Sequence, residues 1–176
     1  MEKKLFDVEI GKTFEVAGIE FIKFTQEGDR VIAVAKDNLF RSDFGKNNNL
    51  ADSKVLKKLN TDILPKIEEA VGAENVLKFE TDLLSLDGSD KHGTVTSKIS
   101  LPTFDFYRAN VKIFDKYKPD YWWWLATPES TTEHCNDNWI CCVSPGGYFN
   151  NNYYGSNNGV RPFLNFVSSI SVSCKD

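Results

Sequence analysis

The sequence lacks several features that would assign a function directly. Its 176 residues include only four Cys and two His, and the Cys do not have the spacing of a zinc site, which usually places paired Cys about two to four residues apart. There is no glycine-rich phosphate loop, and no Ser-His-Asp arrangement can be identified. The chain therefore offers no support for a zinc-binding fold, a nucleotide-binding loop or a serine hydrolase.

A strong charge of one sign and a long apolar run are also absent. The 25 acidic and 21 basic side chains leave a net charge of -4 that is spread along the chain, which predicts no nucleic-acid partner. Met1–Asp7 has no apolar run behind its two lysines, and no segment is long enough to span a bilayer. We therefore expect no signal peptide and no membrane span. The localisation stays open, with cytoplasmic synthesis followed by display on a virion or cell surface as one option.

What the chain does have is a series of strand and helix patterns. Phe14–Val16 and Ile19–Phe24 alternate apolar and polar residues with period two, and Val31–Ala35 is a continuous apolar run. These segments predict an antiparallel hairpin or meander near the start of the chain. The length and the hydrophobic content of 41% suit one domain.

The first of two predicted helices lies in the middle of the chain. Asp52 or Ser53 can cap its start, and Gly72 can end it. Pro65 either kinks this helix or starts a new one. The apolar face that indicates the helix is formed by Leu56, Leu59, Ile63, Ile67 and Val71.

The second predicted helix begins after Thr103, which is a favourable N-cap residue. After Tyr121 no helical period occurs, so the remainder is predicted to form strands and loops. The order of strands, two helices and strands predicts an α+β fold with antiparallel pairing. The apolar face of the second helix is formed by Phe104, Tyr107, Val111 and Phe114, and Lys118–Asp120 is expected to stop it.

The C-terminal third is the most informative stretch. It begins with Tyr121–Pro128, which contains three consecutive Trp, and closes with Asn158–Leu164. Between these apolar, Pro-containing ends lies a polar tract rich in Asn, Tyr and Gly. Apolar ends can hold a scaffold while the polar middle meets a ligand, so this region is the expected binding region.

Two further expectations concern packing in this region. In a strand, successive side chains of Trp122–Trp124 point to opposite faces, and we expect one face to lie in the core with Trp139 packed nearby. Arg161 lies among apolar residues, so it is predicted to form a structural salt bridge with a buried carboxylate rather than to contact a ligand.

The two ends together resemble a known signature. Trp122–Pro128 and Gly159–Leu164 are similar to the Trp-Trp-Leu-Arg-Ser-Pro … Gly-Val-Arg-Pro-Ala-Leu pattern of a bacterial and phage family with the C-type-lectin-like fold. That fold group includes the variable proteins of diversity-generating retroelements and the formylglycine-generating enzymes. This chain departs from the pattern at Ala126-Thr127, where Arg-Ser is common in the family, and so loses a positive charge from the framework.

The resemblance implies a C-type-lectin-like fold with two helices packed on short antiparallel sheets and with long C-terminal loops. Residues 1–176 would form one such domain, with N-terminal strands in 1–50, a two-helix region in 51–120 and a strand and loop ligand-binding region in 121–176. It also implies a non-catalytic protein of receptor or surface recognition, diversified by a retroelement in a phage or bacterium.

Ligand contacts are predicted within the Asn-rich tract. Tyr supplies stiff amphipathic contact area and Asn supplies adaptable hydrogen bonding, as in evolved paratopes. In retroelement-diversified proteins, Asn codons are the usual targets of adenine mutagenesis, which would also explain the Asn bias. The alternative is that Asn and Gly simply form hairpin turns. The candidate ligand-binding residues are Asn136, Asn138, Tyr148, Asn150, Asn151, Asn152, Tyr153, Tyr154, Asn157 and Asn158.

Other functions stay open as alternatives. A phage or cell-surface subunit with a fixed ligand would suit the same scaffold. An oxidase of the formylglycine-generating type would need a Cys pair, but Cys141 and Cys142 are adjacent and would point to opposite faces of a strand. His134 beside Cys135 suggests a base and a nucleophile, yet no third group in the sequence orients them. We therefore predict a non-catalytic protein.

No metal or cofactor is predicted. Asp137, Glu129 and Glu133 could contribute to a calcium site, but such a site needs about six to eight oxygens around one point. The thiols are expected to be reduced, although a Cys135–Cys142 or Cys141–Cys174 bridge stays open for an exported protein. The expected partner is a protein or glycan ligand, with homo-oligomerisation or attachment to a larger surface or tail protein as further options.

Overall fold

The computed structural model describes residues 1–175, and within them β-strands predominate. The strands form a seven-stranded sheet, a five-stranded sheet and a two-stranded ribbon. In chain order the strands are β1 (Glu2–Lys4), β2 (Thr13–Val16), β3 (Ile19–Glu27), β4 (Arg30–Ala35), β5 (Phe40–Ser42), β6 (Phe79–Asp82), β7 (Thr94–Ser97), β8 (Ile99–Ser100), β9 (Trp123–Pro128), β10 (Trp139–Val143), β11 (Phe149–Tyr153), β12 (Asn158–Val160), β13 (Phe163–Val167) and β14 (Ser171–Ser173).

Helices form the smaller part of the structure. One continuous helical run consists of α1 (Lys54–Lys58), a π-helical segment (Leu59–Ile63) and α2 (Leu64–Val71). Two short helices, α3 (Phe104–Ala109) and α4 (Val111–Phe114), follow later in the chain. No helix within residues 1–175 is long and apolar enough to cross a membrane. Single 3₁₀ turns lie at Leu5–Asp7, Leu50–Asp52 and Ala73–Asn75.

The ends of the long helical run confirm two predictions. Ser53 caps its start, since the Ser53 hydroxyl accepts a hydrogen bond from the Leu56 N–H at 2.9 Å. Gly72 ends it with a φ of +89°, a conformation that glycine adopts without a Cβ penalty. Pro65 does not divide the run. Because Pro cannot donate a backbone hydrogen bond, the wider π-helical segment just before it accommodates the missing bond.

The predicted α+β, C-type-lectin-like fold, with two helices on short antiparallel sheets and long C-terminal loops, is wrong. The second predicted helix divides at Asn110, whose φ of -121° is not helical, and it ends at Phe114 instead of continuing to Lys118. In the C-terminal region, where that fold implied long loops, the polar tract contains the strand β11. Strand pairing uses backbone N–H and C=O groups, which Asn supplies as well as any apolar residue, so side-chain polarity concealed this strand.

The two large sheets are linked through the C-terminal motif. The five-stranded sheet has the order β11-β10-β9-β12-β5, and the seven-stranded sheet has the order β1-β14-β2-β3-β4-β13-β8. Only β12 and β9 pair in parallel among the described strand pairs. The chain leaves the five-stranded sheet after β12, passes through Arg161-Pro162 and enters the other sheet as β13. Pro162 C=O accepts a hydrogen bond from the Ala35 N–H at 2.9 Å, which joins the crossing to the end of β4.

The middle of the five-stranded sheet is buried on both faces. Trp123 and Cys141 pack with side chains of α3 and α4 in one apolar cluster. Trp124 and Cys142 belong to a larger cluster that also includes side chains of α1 and α2. One face of the Trp run was expected to lie in the core, but both faces do, because Trp123 and Trp124 are buried in different clusters. Trp139 lies at the surface.

Arg161 forms no salt bridge within residues 1–175, so the predicted carboxylate partner is wrong. Its Nε donates to the Ala35 carbonyl at 2.9 Å, and Nη2 donates to the Tyr117 carbonyl at 3.4 Å. The guanidinium also lies 4.5 Å from the ring centroid of Trp123. Burial lowers the pKa of Arg161 to about 9, and the charge of Asp37 partly opposes that shift. Carbonyls and an aromatic face thus take the place of the carboxylate.

Candidate functional site

The Asn-rich tract folds as the edge strand β11, which pairs with β10. In this antiparallel register Tyr153 lies opposite Trp139, and Asn151 lies opposite Cys141. Directly opposed residues point to the same face of a sheet, and alternate residues along a strand share a face. Phe149, Asn151 and Tyr153 therefore lie on the same face as Trp139. We call these four residues the β11 face.

The three aromatic residues of the β11 face are exposed. The exposed fractions are 39% for Trp139, 42% for Phe149 and 41% for Tyr153. The ring centroids of Trp139 and Tyr153 are 5.9 Å apart, and Phe149 lies 4.4 Å from Phe104 at the start of α3. Large aromatic side chains that stay exposed while held by neighbours are typical of interaction surfaces, because they supply apolar area at a low entropic cost.

A hydrogen bond fixes the polar centre of the β11 face. Asn151 Nδ2 donates to Glu129 Oε1 at 2.7 Å. Glu129 directly follows β9, and its backbone N–H donates to the Trp139 carbonyl at 3.0 Å. The carboxylate is thus positioned by the sheet, and it holds the Asn151 amide in one orientation. Asn151 Oδ1 accepts no hydrogen bond within residues 1–175, so it can accept one from a ligand.

Two open depressions adjoin the β11 face, and both are lined in part by Leu86. One has a volume of about 310 Å³ and reaches Phe104 and Arg108 of α3. Leu86 is held there because its N–H donates to the Pro128 carbonyl at 3.0 Å, at the end of β9. The other depression has a volume of about 400 Å³ and is lined by Leu86, Asp87, Glu129, Ser130, Cys135, Asn136 and Trp139.

Four of the predicted ligand-binding residues lie at or beside this surface. Asn151 and Tyr153 belong to the β11 face, and Asn136 lines the larger depression next to Trp139. Tyr148, which is 76% exposed, lies in the turn just before β11. A hydrogen bond with Tyr154 is the largest cause of a raised pKa at the Tyr153 hydroxyl, and desolvation and the charge of Tyr154 raise this pKa further.

The other six predicted residues lie elsewhere. Asn150 and Asn152 alternate with the β11 face and therefore point to the opposite side of the sheet. Asn152 Nδ2 donates to Asn158 Oδ1 at 3.2 Å, and Asn158 is 3% exposed, so its side chain is not available to a ligand. Tyr154 packs against the large apolar cluster. The remaining two are Asn138, whose N–H donates to Asn136 Oδ1 at 3.0 Å, and the exposed Asn157.

Sequence reasoning missed four residues of this surface: Trp139, Phe149, Glu129 and Leu86. The alternation in Phe149–Tyr153, with aromatic residues at both ends, was the available signal for a strand with an aromatic side. Nothing in the sequence indicated that Leu86 or Glu129 would adjoin it, because both reach the surface through contacts between distant segments.

The sequence revealed no third group that orients His134 beside Cys135, but in the structure the Asp87 carboxylate contacts His134. Asp87 Oδ2 lies 2.6 Å from His134 Nδ1. Hydrogen bonds from Ser130, Ser85 and His134 hold the pKa of Asp87 well below its usual value of 3.8. Cys135 is exposed, and the hydrogen bond to its sulfur comes from Asn136 Nδ2 at 3.3 Å. This arrangement fixes the loop that borders the larger depression.

The two adjacent cysteines are not arranged for redox chemistry. Cys141 and Cys142 are both buried and lie in different apolar clusters on opposite faces of the sheet. Burial raises the pKa of both thiols, that of Cys142 to about 12. Across residues 1–175, no three His, Cys, Asp or Glu side chains are grouped so that they could hold a metal ion. The Asp137, Glu129 and Glu133 side chains are therefore not grouped around one point there.

Comparison with known proteins yields one family. Residues 79–168, just over half of the chain, match the family model described as "Domain of unknown function (DUF6273)". The matched region runs from β6 into β13 and its following turn, and it contains the whole β11 face and both depressions. No curated protein and no solved structure matches the chain.

Proposed function

The chain belongs to the DUF6273 family, and since that membership carries no activity, we propose a function from the surface itself: non-catalytic recognition of a ligand through the β11 face. The observation that carries this proposal is the exposed aromatic and polar arrangement of Trp139, Phe149, Asn151 and Tyr153 on a rigid sheet. The strands β9 and β10 of the same sheet have buried side chains on both faces. Because these strands are fixed in the core, the side chains of the β11 face are held in place before a ligand binds. Such preorganisation lowers the entropic cost of association.

The residues at and beside the β11 face can be substituted without disturbing the core. The side chains of Asn136, Asn151 and Tyr153 lie outside the two apolar clusters. Substitutions there change contact chemistry without creating cavities in the core. This favours a receptor- or surface-recognition protein, and it is consistent with diversification by a retroelement in a phage or bacterium. A surface subunit with one fixed ligand uses the same face without the variation.

Display selection tests the binding role. One yeast-display library varies Asn136, Trp139, Asn151 and Tyr153, and a matched library varies four exposed helix positions. Both are selected against biotinylated lysozyme. The first library should yield specific binders and the second should not, because only the first alters a preformed concave and aromatic surface. Equal yields from both libraries would contradict the proposal. The four control positions are Lys57, Asp62, Lys66 and Glu69.

The DNA that flanks the gene tests diversification separately. A near-identical copy of the segment encoding residues 122–163, placed beside a reverse transcriptase gene, should differ from it only at adenines. The differences should affect Asn136, Asn151 and Tyr153 and spare Asn158, whose side chain is buried. Without such a copy the recognition surface stands with a fixed ligand, and diversification is rejected.

A further inference from the structure

We propose that β11 binds an extended peptide as an additional strand of the five-stranded sheet, and that this peptide has two apolar side chains four positions apart with a basic side chain midway between them. The inference rests on the proposed recognition function and names its ligand class. It is carried by three properties of β11: unpaired backbone groups along its outer edge, aromatic neighbours for the incoming side chains, and nearby carboxylates.

The backbone of β11 has one free edge. The Ser144 N–H donates to the Tyr148 carbonyl, and the Tyr154 N–H donates to the Asn138 carbonyl, both at 2.9 Å. Hydrogen-bonding direction alternates along an antiparallel strand. The even-numbered residues between them therefore bond to β10, and the odd-numbered residues direct their N–H and C=O groups away from the sheet.

Most of these outward groups have no partner within residues 1–175. There, the N–H groups of Phe149 and Tyr153 donate to no loop or side chain, and the C=O groups of Phe149 and Asn151 accept from none. The Tyr153 carbonyl accepts from the Ser156 N–H at 2.8 Å, and the Asn151 N–H donates to Asn150 Oδ1 at 2.8 Å. An added strand can satisfy the four free groups, which is how sheet edges bind extended peptides.

Side chains of an added strand would lie beside the β11 face. Directly opposed residues on neighbouring strands are in contact, and aromatic residues pair favourably with β-branched ones. Phe149 and Tyr153 are both partly exposed, so they favour apolar residues at the two peptide positions opposite them, which lie four residues apart. Asn151 lies between them with its amide oriented by Glu129, which favours a polar or basic residue at the central position.

Charge selects a basic peptide and disfavours a second copy of this chain. The larger depression is lined by the carboxylates of Asp87 and Glu129 and by no Lys or Arg. The smaller one is lined by Asp82, Asp105 and Arg108, and Arg108 is paired with Asp105 at 3.0 Å. A peptide with Lys or Arg complements this surface, whereas a second copy would bring the same carboxylates close to one another.

The test uses a phage-displayed library of random linear peptides and variants of the full chain. Enriched peptides should have apolar residues four positions apart with a basic residue midway between them, and one of these peptides is synthesised for affinity measurements. Asn151→Pro places the proline ring on the outward edge, where it blocks the close approach of an added strand, and it leaves the bonds to β10 intact, so it should weaken peptide binding at least about tenfold. The matched control Asn151→Thr loses the same amide side chain but has no proline ring, so it should bind the peptide about tenfold more tightly than Asn151→Pro.

A second variant gives the opposite effect. Asn150→Ala frees the Asn151 N–H from its side-chain acceptor, so it should strengthen peptide binding by about threefold. A failure to enrich any peptide, or equal peptide binding by Asn151→Pro and Asn151→Thr, overturns strand addition. A dimer in sedimentation experiments that Asn151→Pro abolishes would overturn the peptide as occupant in favour of a second copy. None of these outcomes alters the lysozyme selection, so recognition by the β11 face is judged independently.

Discussion

Gly159 lies directly against the Asn38 side chain, and a Cβ added at Gly159 would overlap the Asn38 amide group. The Gly159 N–H donates to the Trp122 carbonyl at 2.7 Å, and Asn38 Nδ2 donates to the Tyr121 carbonyl at 3.4 Å. Three segments thus meet at a point where only glycine fits. This close approach gives a structural reason for the glycine in the Gly-Val-Arg-Pro motif.

Gly159→Ala should therefore destabilise the protein by about 2 kcal/mol, the usual cost of overpacking a tight site. The double variant Asn38→Ala with Gly159→Ala should recover part of that loss, because the overlapping amide is removed. Urea denaturation of the two single variants and the double variant measures the coupling. Strictly additive effects would show that the contact with Asn38 is not the cause.

The Trp residues should differ sharply in their contribution to stability. Trp124 is fully buried, packs against Phe44 and donates from Nε1 to the Ser42 carbonyl at 2.9 Å. Trp124→Ala should lower the free energy of unfolding by about 4 kcal/mol, whereas Trp139→Ala, made at a partly exposed site, should cost about 1 kcal/mol. Chemical denaturation compares the two. Similar losses would contradict the assignment of Trp139 to a surface that is free to bind.

Asp87 should make stability depend on acid pH. Its folded-state pKa lies below its usual value, so its hydrogen bonds stabilise the native state above about pH 4 and are lost as the pH falls through the folded pKa. Melting temperatures of the original chain should decline in that acid range, and Asp87→Asn should flatten the decline. The control is Asp90→Asn, since the exposed Asp90 side chain forms no hydrogen bond within residues 1–175. An unchanged slope in Asp87→Asn would refute the role of this cluster.

The cysteines should react with alkylating reagents in two classes. Cys135 is exposed, whereas Cys141 and Cys142 are buried and their thiol pKa values are raised by burial. In the native protein at about pH 8, iodoacetamide should modify Cys135 within minutes and spare the adjacent pair. All should react after unfolding in urea, and mass spectrometry of peptides distinguishes them. Rapid native modification of Cys141 would mean that β10 opens at its buried faces.

The ends of the helices could be predicted in large part from residues that lie next to them in the sequence. Ser53 and Thr103 cap helices because their side chains satisfy N–H groups that lie within three residues of them. Gly72 ends a helix because its own φ is positive. Such signals act over a few residues, so they can be read from sequence. The length of the second helix could not be read, because its division at Asn110 depends on how α3 and α4 fit between the two sheets.

The candidate site was predicted only in part. Tyr and Asn composition identified the right tract, since residue type alone indicates contact chemistry. It did not distinguish Asn151 from Asn158, because the first lies on the exposed face of an edge strand and the second is buried beside Asn152. The side of a sheet on which a residue lies is set by register, and register is set by pairing between distant segments.

By itself, the sequence determined the apolar segments that form the core, the caps of the helices and the polar character of the tract between Pro128 and Asn158. These follow from properties of single residues and their near neighbours. Only the tertiary structure decided that this tract is an edge strand, that Glu129 orients Asn151, and that the adjacent thiols belong to separate clusters. Those outcomes depend on backbone pairing and side-chain contacts across large sequence separations, which composition and periodicity do not encode.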